Sequence, residues 1–145
     1  MKYISFAIPC YNSEAYMEKA INSILVGGED VEIIVVNDGS KDGTQKIAER
    51  YQEKYPTIVK AVEKENGGHG DAVNCGLAHA TGKYFKVVDS DDWVDAEALR
   101  KILEFLKKLE SEDEEVDMLI SNYVYEKVGA THKKCIHYRN VLPQD

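Results

Sequence analysis

Hydrophobic runs and helical stripes alternate along this chain, separated by short polar connections. Residues 3–8 are rich in β-branched and aromatic side chains without clean alternation, the mark of a strand buried on both faces, and Pro9 is expected to end it. Asn12 or Ser13 stands where it can cap a helix whose apolar positions Ala20, Ile21, Ile24 and Leu25 keep helical spacing up to Gly27 and Gly28. Residues 31–36 predict a second buried strand, and a loop dense in turn formers, 37–44, opens a helix over 44–55 that Pro56 closes. A third strand is expected at 58–62. The glycine-rich stretch 65–71 then opens a helix through Ala72, Val73, Leu77 and Ala78, and 84–88 gives a fourth strand. Residues 95–109 carry the clearest stripe, Leu99, Ile102, Leu103, Leu106 and Leu109. The acidic run 111–115 reads as a solvated loop, 116–125 returns to β character, and 135–138 adds a short strand. Strand and helix alternating over short connections specify an α/β fold, a mostly parallel sheet with helices on both faces.

Composition narrows the class. A chain of 145 residues with 43% hydrophobic side chains is sized for one cored domain. Its formal net charge of -8 argues against DNA or RNA as partner, because that binding relies on lysine and arginine neutralising phosphates. An acidic protein that binds phosphate needs a metal, backbone amides or a few placed cations. The three cysteines, Cys10, Cys75 and Cys135, are widely spaced and form no Cys-x-x-Cys pair, which fits a reducing cytosol better than a disulfide framework. No stretch reaches the length of a membrane span, and the apolar run at the N-terminus is too short for a signal peptide. Any attachment to the inner face of a membrane is left to regions beyond this chain.

The candidate chemistry lies at strand ends. Asp89, Asp91 and Asp92 follow the fourth strand directly, and like charges held that close repel by roughly a few kcal/mol at intermediate dielectric. A divalent cation removes the conflict, and hard carboxylate oxygens suit Mg²⁺ or Mn²⁺. As a lone feature the same acids would also serve to cap the following helix. Asp38 leaves the second strand, where its carboxylate can accept the ring N–H of uracil or hold an Asx turn. Gly67, Gly68 and Gly70 let a backbone pass close to a ligand and aim amides at phosphate. In a parallel sheet these loops share one edge, so acids and amides from distant sequence converge. Cys75 and His79, four apart on a helix, read as an incidental pair; His69 reads as a loop histidine in solvent, with contact to a phosphate or sugar as the alternative. Trp93 suits packing or a sugar face, and Tyr123 and Tyr125 suit a sheet surface or the boundary with a half beyond this chain.

Several separated motifs, in order, carry a resemblance: Ala7-Ile8-Pro9-Cys10-Tyr11-Asn12; Val36-Asn37-Asp38-Gly39-Ser40; Glu65-Asn66-Gly67-Gly68 with Asn74-Cys75-Gly76-Leu77; Thr81-Gly82-Lys83-Tyr84; and Asp89-Ser90-Asp91-Asp92. Together they resemble the family 2 glycosyltransferases. The resemblance implies the Rossmann-like GT-A fold and transfer of a sugar, with inversion, from a nucleotide donor that is usually UDP-linked. Carried across, Pro9, Tyr11 and Asn12 belong to the nucleotide pocket, with the Tyr11 ring stacking on the base and Asp38 on the uracil edge. Gly68 falls in the amide-presenting loop, Asp89 near ribose and donor sugar, and Asp91 with Asp89 at the Mg²⁺ or Mn²⁺. Cell-envelope polysaccharide synthesis follows only by family association; glycan, lipid-linked and protein acceptors all stay open.

Two departures stand out. Asp71 sits where neutral or basic residues are more usual in the family, and an acid there weakens diphosphate binding unless it points away or assists the metal. The base that takes the acceptor's proton is, in the family, an acid well downstream of the Asp-x-Asp. Glu112 to Glu115 are wrongly placed for it and Asp145 is terminal, so the expectation is one nucleotide-sugar-binding domain over 1–145, with the base beyond it. An open sheet edge would offer a pairing site to another copy. Two other classes compete: a nucleotidyltransferase that makes nucleotide-sugars, which would want a basic glycine-rich signature near the first strand, and a receiver-like binding module, which would want a lysine on a later strand partnering a strand-end aspartate.

Overall fold

A computed structural model describes residues 1–127, 129 and 131–139; Pro143 to Asp145 lie outside the described residues. The chain divides after Leu109 into two compact units. In the first, β1 (Ile4–Cys10), β2 (Val31–Asp38), β3 (Val59–Lys64) and β4 (Tyr84–Val87) form a parallel sheet in the order β3-β2-β1-β4. The helices α1 (Met17–Leu25), α2 (Thr44–Lys54), α3 (His69–His79) and α4 (Ala96–Ser111) flank it, with α4 ending just past the division. Strand order reverses between β1 and β4, which opens a crevice beyond their C-terminal ends.

Every residue of β1 and β2 is buried, as their unbroken apolar character requires of central strands. Pro9 does not end β1; the strand runs on to Cys10, with Pro9 opposite Val36 of β2. Tyr3 and Ala7 turn their carbonyls to β4, accepting from the Tyr84 and Val88 amides at 2.8 and 2.9 Å. Alternation turns Pro9 the same way, past the last β4 partner, so its missing N–H costs no ladder bond. Asn12 and Ser13 do not cap α1, which starts four to five residues later without a side-chain cap. Its buried face is Met17, Ala20, Ile21 and Ile24. Leu77 is 53% exposed, because α3 sits on the sheet through Ala72 and Gly76 instead. A Cβ at Gly76 would lie 2.6 Å from the Ala7 Cβ. Asp95 caps α4, its Oδ1 accepting the Ala98 amide at 2.8 Å, and Leu99, Leu103, Leu106 and Leu109 form the buried stripe.

Glu32 of β2 is a buried acid that holds this sheet together at the start of β4. Only 2% exposed, it accepts from Ser5 Oγ at 2.5 Å, Thr81 Oγ1 at 3.0 Å, Gly82 N at 3.3 Å, Lys60 Nζ at 3.0 Å and the Thr81 amide. Gly82 has no room for a side chain there, since a Cβ would stand 2.8 Å from the Ser5 nitrogen. In the second unit β5 (Tyr123–Tyr125) pairs antiparallel with β6 (Lys134–Ile136), shorter strands than the sequence predicts, and residues 111–115 are exposed. Tyr123 and Tyr125 lie on an exposed surface, their rings edge to face.

Candidate functional site

The C-terminal edge of the sheet carries a cleft of about 590 Å³. Pro9, Tyr11, Asn12, Asp38, Gly68, Asp89 and Asp91 all line it, as do His69 and Ser90. Residues from four strand ends and one helix start thus meet in one place, as the parallel topology demands. The Tyr11 ring is 54% exposed and Pro9 is buried beneath the cleft wall.

The rim is tied together by short polar bonds between loops. Asn12, in the left-handed region at φ 48°, accepts the Lys41 amide at 2.9 Å on Oδ1 and donates its own amide to Ser40 Oγ at 2.9 Å. Ser13 N donates to Thr44 Oγ1 at 2.9 Å, and Ser13 Oγ lies 2.8 Å from Ser90 Oγ. These contacts fix the turn that carries Tyr11 against the loops after β2 and β4. Cys10 also lines the cleft, but burial pushes its thiol up to about 12, which leaves it unreactive.

Asp38 is 3% exposed and ends β2 directly opposite Lys64, the last residue of β3. Its Oδ1 accepts from Lys64 Nζ at 2.9 Å and from the Gly67 amide at 2.8 Å; its Oδ2 accepts the Gly68 amide at 2.9 Å. Burial alone would raise this carboxyl, but the bonds from Lys64, Gly67 and Gly68 outweigh it and hold the group below the usual carboxylate range. Gly68 adopts φ 94°, ψ 171°, a region open essentially to glycine, and so turns its amide to Asp38. Asp71 points to Lys64, whose ammonium is raised by Asp71 first and Asp38 second. The acid that departs from the family pattern is therefore a counterion of Lys64. Neither Lys64 nor Glu32 stood out in the sequence.

Asp89, Asp91 and Asp92 bring carboxylate oxygens within 4.8 Å of one another, all exposed. The Asp92 amide bonds back to the Asp89 carbonyl at 2.9 Å, so a tight turn gathers the acids. Partial desolvation, and then the charges of Asp91 and Asp89, raise the Asp92 carboxyl. This all-oxygen anionic set fits Mg²⁺ or Mn²⁺. His69 Nε2 lies 2.9 Å from Asp89 Oδ1. Lys19 Nζ stands 3.4 Å from the centre of the Trp93 ring, covering one face, and Cys75 lies with its Sγ 3.9 Å from His79 Nδ1 and packs against the cluster of Ile34, Val36 and Ala72.

The family model for glycosyl transferase family 2 matches residues 5–132. The chain belongs to that family. It is 37% identical over 111 residues to the minor teichoic acid biosynthesis protein GgaB of Bacillus subtilis, covering 74% of this chain and 12% of that one. Its fold matches the crystal structure of S. aureus TarS 1–349 in complex with UDP-GlcNAc, with TM-score 0.66, 34% identity, and coverage of 76% of this chain and 32% of that one. It also matches the mannosyltransferase PcManGT from Pyrobaculum calidifontis in complex with GDP-Man and Mn²⁺, with TM-score 0.62, 28% identity, and coverage of 71% and 32%. The fold is GT-A, as the sequence motifs imply. The chain spans 34%, 12% and 30% of the length of the first three curated relatives it matches. Lys64 does pair with Asp38, the feature a receiver-like module would need, but the family match assigns the chain elsewhere. Among the described residues, no helix is long and apolar enough to cross a membrane.

Proposed function

We propose that this chain is the donor-binding portion of a metal-dependent, inverting glycosyltransferase that uses a UDP-type sugar nucleotide. The convergence of Pro9, Tyr11, Asn12, Asp38, Gly68, Asp89 and Asp91 on one cleft at the switch point carries this reading. The exposed Tyr11 ring stacks on the base over the Pro9 wall, and Asn12 holds the Tyr11 turn in place. A carboxylate oxygen accepts about two hydrogen bonds. Asp38 Oδ1 already has two and Oδ2 one, so one acceptor position remains, matching the single imide N–H of uracil. Asp89 serves the ribose and donor sugar, and Asp91 with Asp89 would hold Mg²⁺ or Mn²⁺. When bound, that cation would stabilise the charge developing on the departing nucleotide diphosphate. The PcManGT complex, with its Mn²⁺, and the TarS complex, with its UDP-GlcNAc, support the metal and the donor class. By similarity to GgaB, a minor teichoic acid biosynthesis protein, the transfer is proposed to serve teichoic acid synthesis. The base that takes the acceptor's proton is proposed to come from outside residues 1–145.

Thermal unfolding with nucleotides tests this. UDP with Mn²⁺ at about one hundred times its Kd stabilises the folded chain by about 2.7 kcal/mol, whereas ADP and CDP at the same concentration leave the melting temperature unmoved. Equal shifts from all three would contradict the base assignment, and no shift from any would contradict the donor-site reading.

A further inference from the structure

Lys64 has no place in the donor contacts above, yet its ammonium is bound to the cleft-lining Asp38. Its Nζ carries three donors, and all three are used: Asp38 Oδ1 at 2.9 Å, the Glu65 carbonyl at 2.5 Å, and Asp71 Oδ2. It therefore has no donor left for a ligand. What it does instead is fill one of the two acceptor positions on Asp38 Oδ1, the Gly67 amide filling the other. Asp71, 54% exposed, holds the ammonium from the far side and lies over Gly67, where an added Cβ would meet its Oδ2.

We propose that Lys64, held by Asp71, is a specificity-determining positioning residue that limits Asp38 to a single free acceptor and so selects nucleobases whose one ring N–H has no amino donor beside it. This rests on the donor-site reading and extends it to the choice between bases. Uracil offers one imide N–H between two carbonyls. Guanine offers an N–H and an adjacent amino group, two parallel donors that would engage both oxygens of a free carboxylate. With Oδ1 saturated, the second guanine donor finds no acceptor, and a polar group left unmatched against the buried Asp38 is costly. Cytosine offers a bare ring nitrogen, which an ionised acceptor repels.

The test is calorimetric titration of the wild-type chain, Lys64→Met, Lys64→Arg and Asp71→Asn with UDP, GDP and CDP, each with Mn²⁺. The wild type prefers UDP. Lys64→Met frees a position on Oδ1, and the UDP-to-GDP affinity ratio falls by on the order of tenfold, the equivalent of about 1.4 kcal/mol. Lys64→Arg restores most of the ratio, and Asp71→Asn narrows it by roughly two- to threefold. A purely structural role for Lys64 would weaken all nucleotides alike and leave the ratio fixed, which would overturn the inference while leaving the donor-site reading intact. A wild type that binds no nucleotide would overturn both. Should Lys64→Met fail to fold, Asp71→Asn at its exposed position decides the matter by the same ratio.

Discussion

Glu32→Gln keeps the shape of the buried side chain and removes its charge. Burial by itself would raise the Glu32 carboxyl, but Ser5, the Thr81 amide and Lys60 outweigh it and bring the group from 4.5 down to about 2. A shift of that size corresponds to about 3 kcal/mol of folding stability at pH 7 carried by the ionised form. In the variant, the amide NH₂ also faces donors, since Ser5 Oγ, Thr81 N and Gly82 N all point at the carboxylate. Because the folded-state value is depressed, the contribution is complete above about pH 4.5 and is lost as pH falls toward about 2, with less than half left near pH 3. Urea unfolding of both proteins at pH 7 and pH 3 therefore shows a gap of about 3 kcal/mol that closes to about half or less. A gap under about 0.5 kcal/mol at neutral pH, or one that does not change with pH, would refute the reasoning. The consequence reaches the cleft, because the Thr81-Gly82 turn launches β4, and β4 ends at the acid cluster.

Tyr11→Ala removes the exposed ring and weakens UDP by about 1–3 kcal/mol in calorimetry, whereas Tyr11→Phe, which keeps the ring, stays within about threefold of wild type. Gly68→Ala forces a side chain into φ 94°, so it lowers stability by about 1–3 kcal/mol and removes the amide from Asp38. Thermal melts and UDP titration of that variant fall together; an unchanged UDP affinity would separate the loop from the base site.

The layered fold was legible because its signals are local. The uninterrupted apolar run of β1, the Leu99 to Leu109 stripe and the polar loops at strand ends each state their own structure. The same is true of the cleft-lining residues, since a parallel sheet brings successive strand ends to one edge. What escaped depends on partners far apart in sequence. Lys64 meets Asp38 only because β3 pairs beside β2 with these two residues in register. Glu32 is stable in a buried strand only because Ser5, Lys60 and Thr81 arrive from three other segments. Pro9 ended the expected strand by rule, yet it fits β1 because β4 stops short of it. Ser13 looked like a helix cap and instead ties the first loop to the β4 end through Ser90. Asp71 seemed opposed to a diphosphate until Lys64 supplied its counter-charge.

The donor-site reading stands most directly on one calorimetric comparison: UDP titrated into the wild-type chain and into Asp91→Ala, each with Mn²⁺ and with a chelator. The account predicts binding to the wild type with metal, and a loss on the order of one hundredfold when either the metal or the Asp91 carboxylate is removed, with no further loss when both are absent. UDP affinity that is the same with and without metal, and the same in Asp91→Ala, would contradict it.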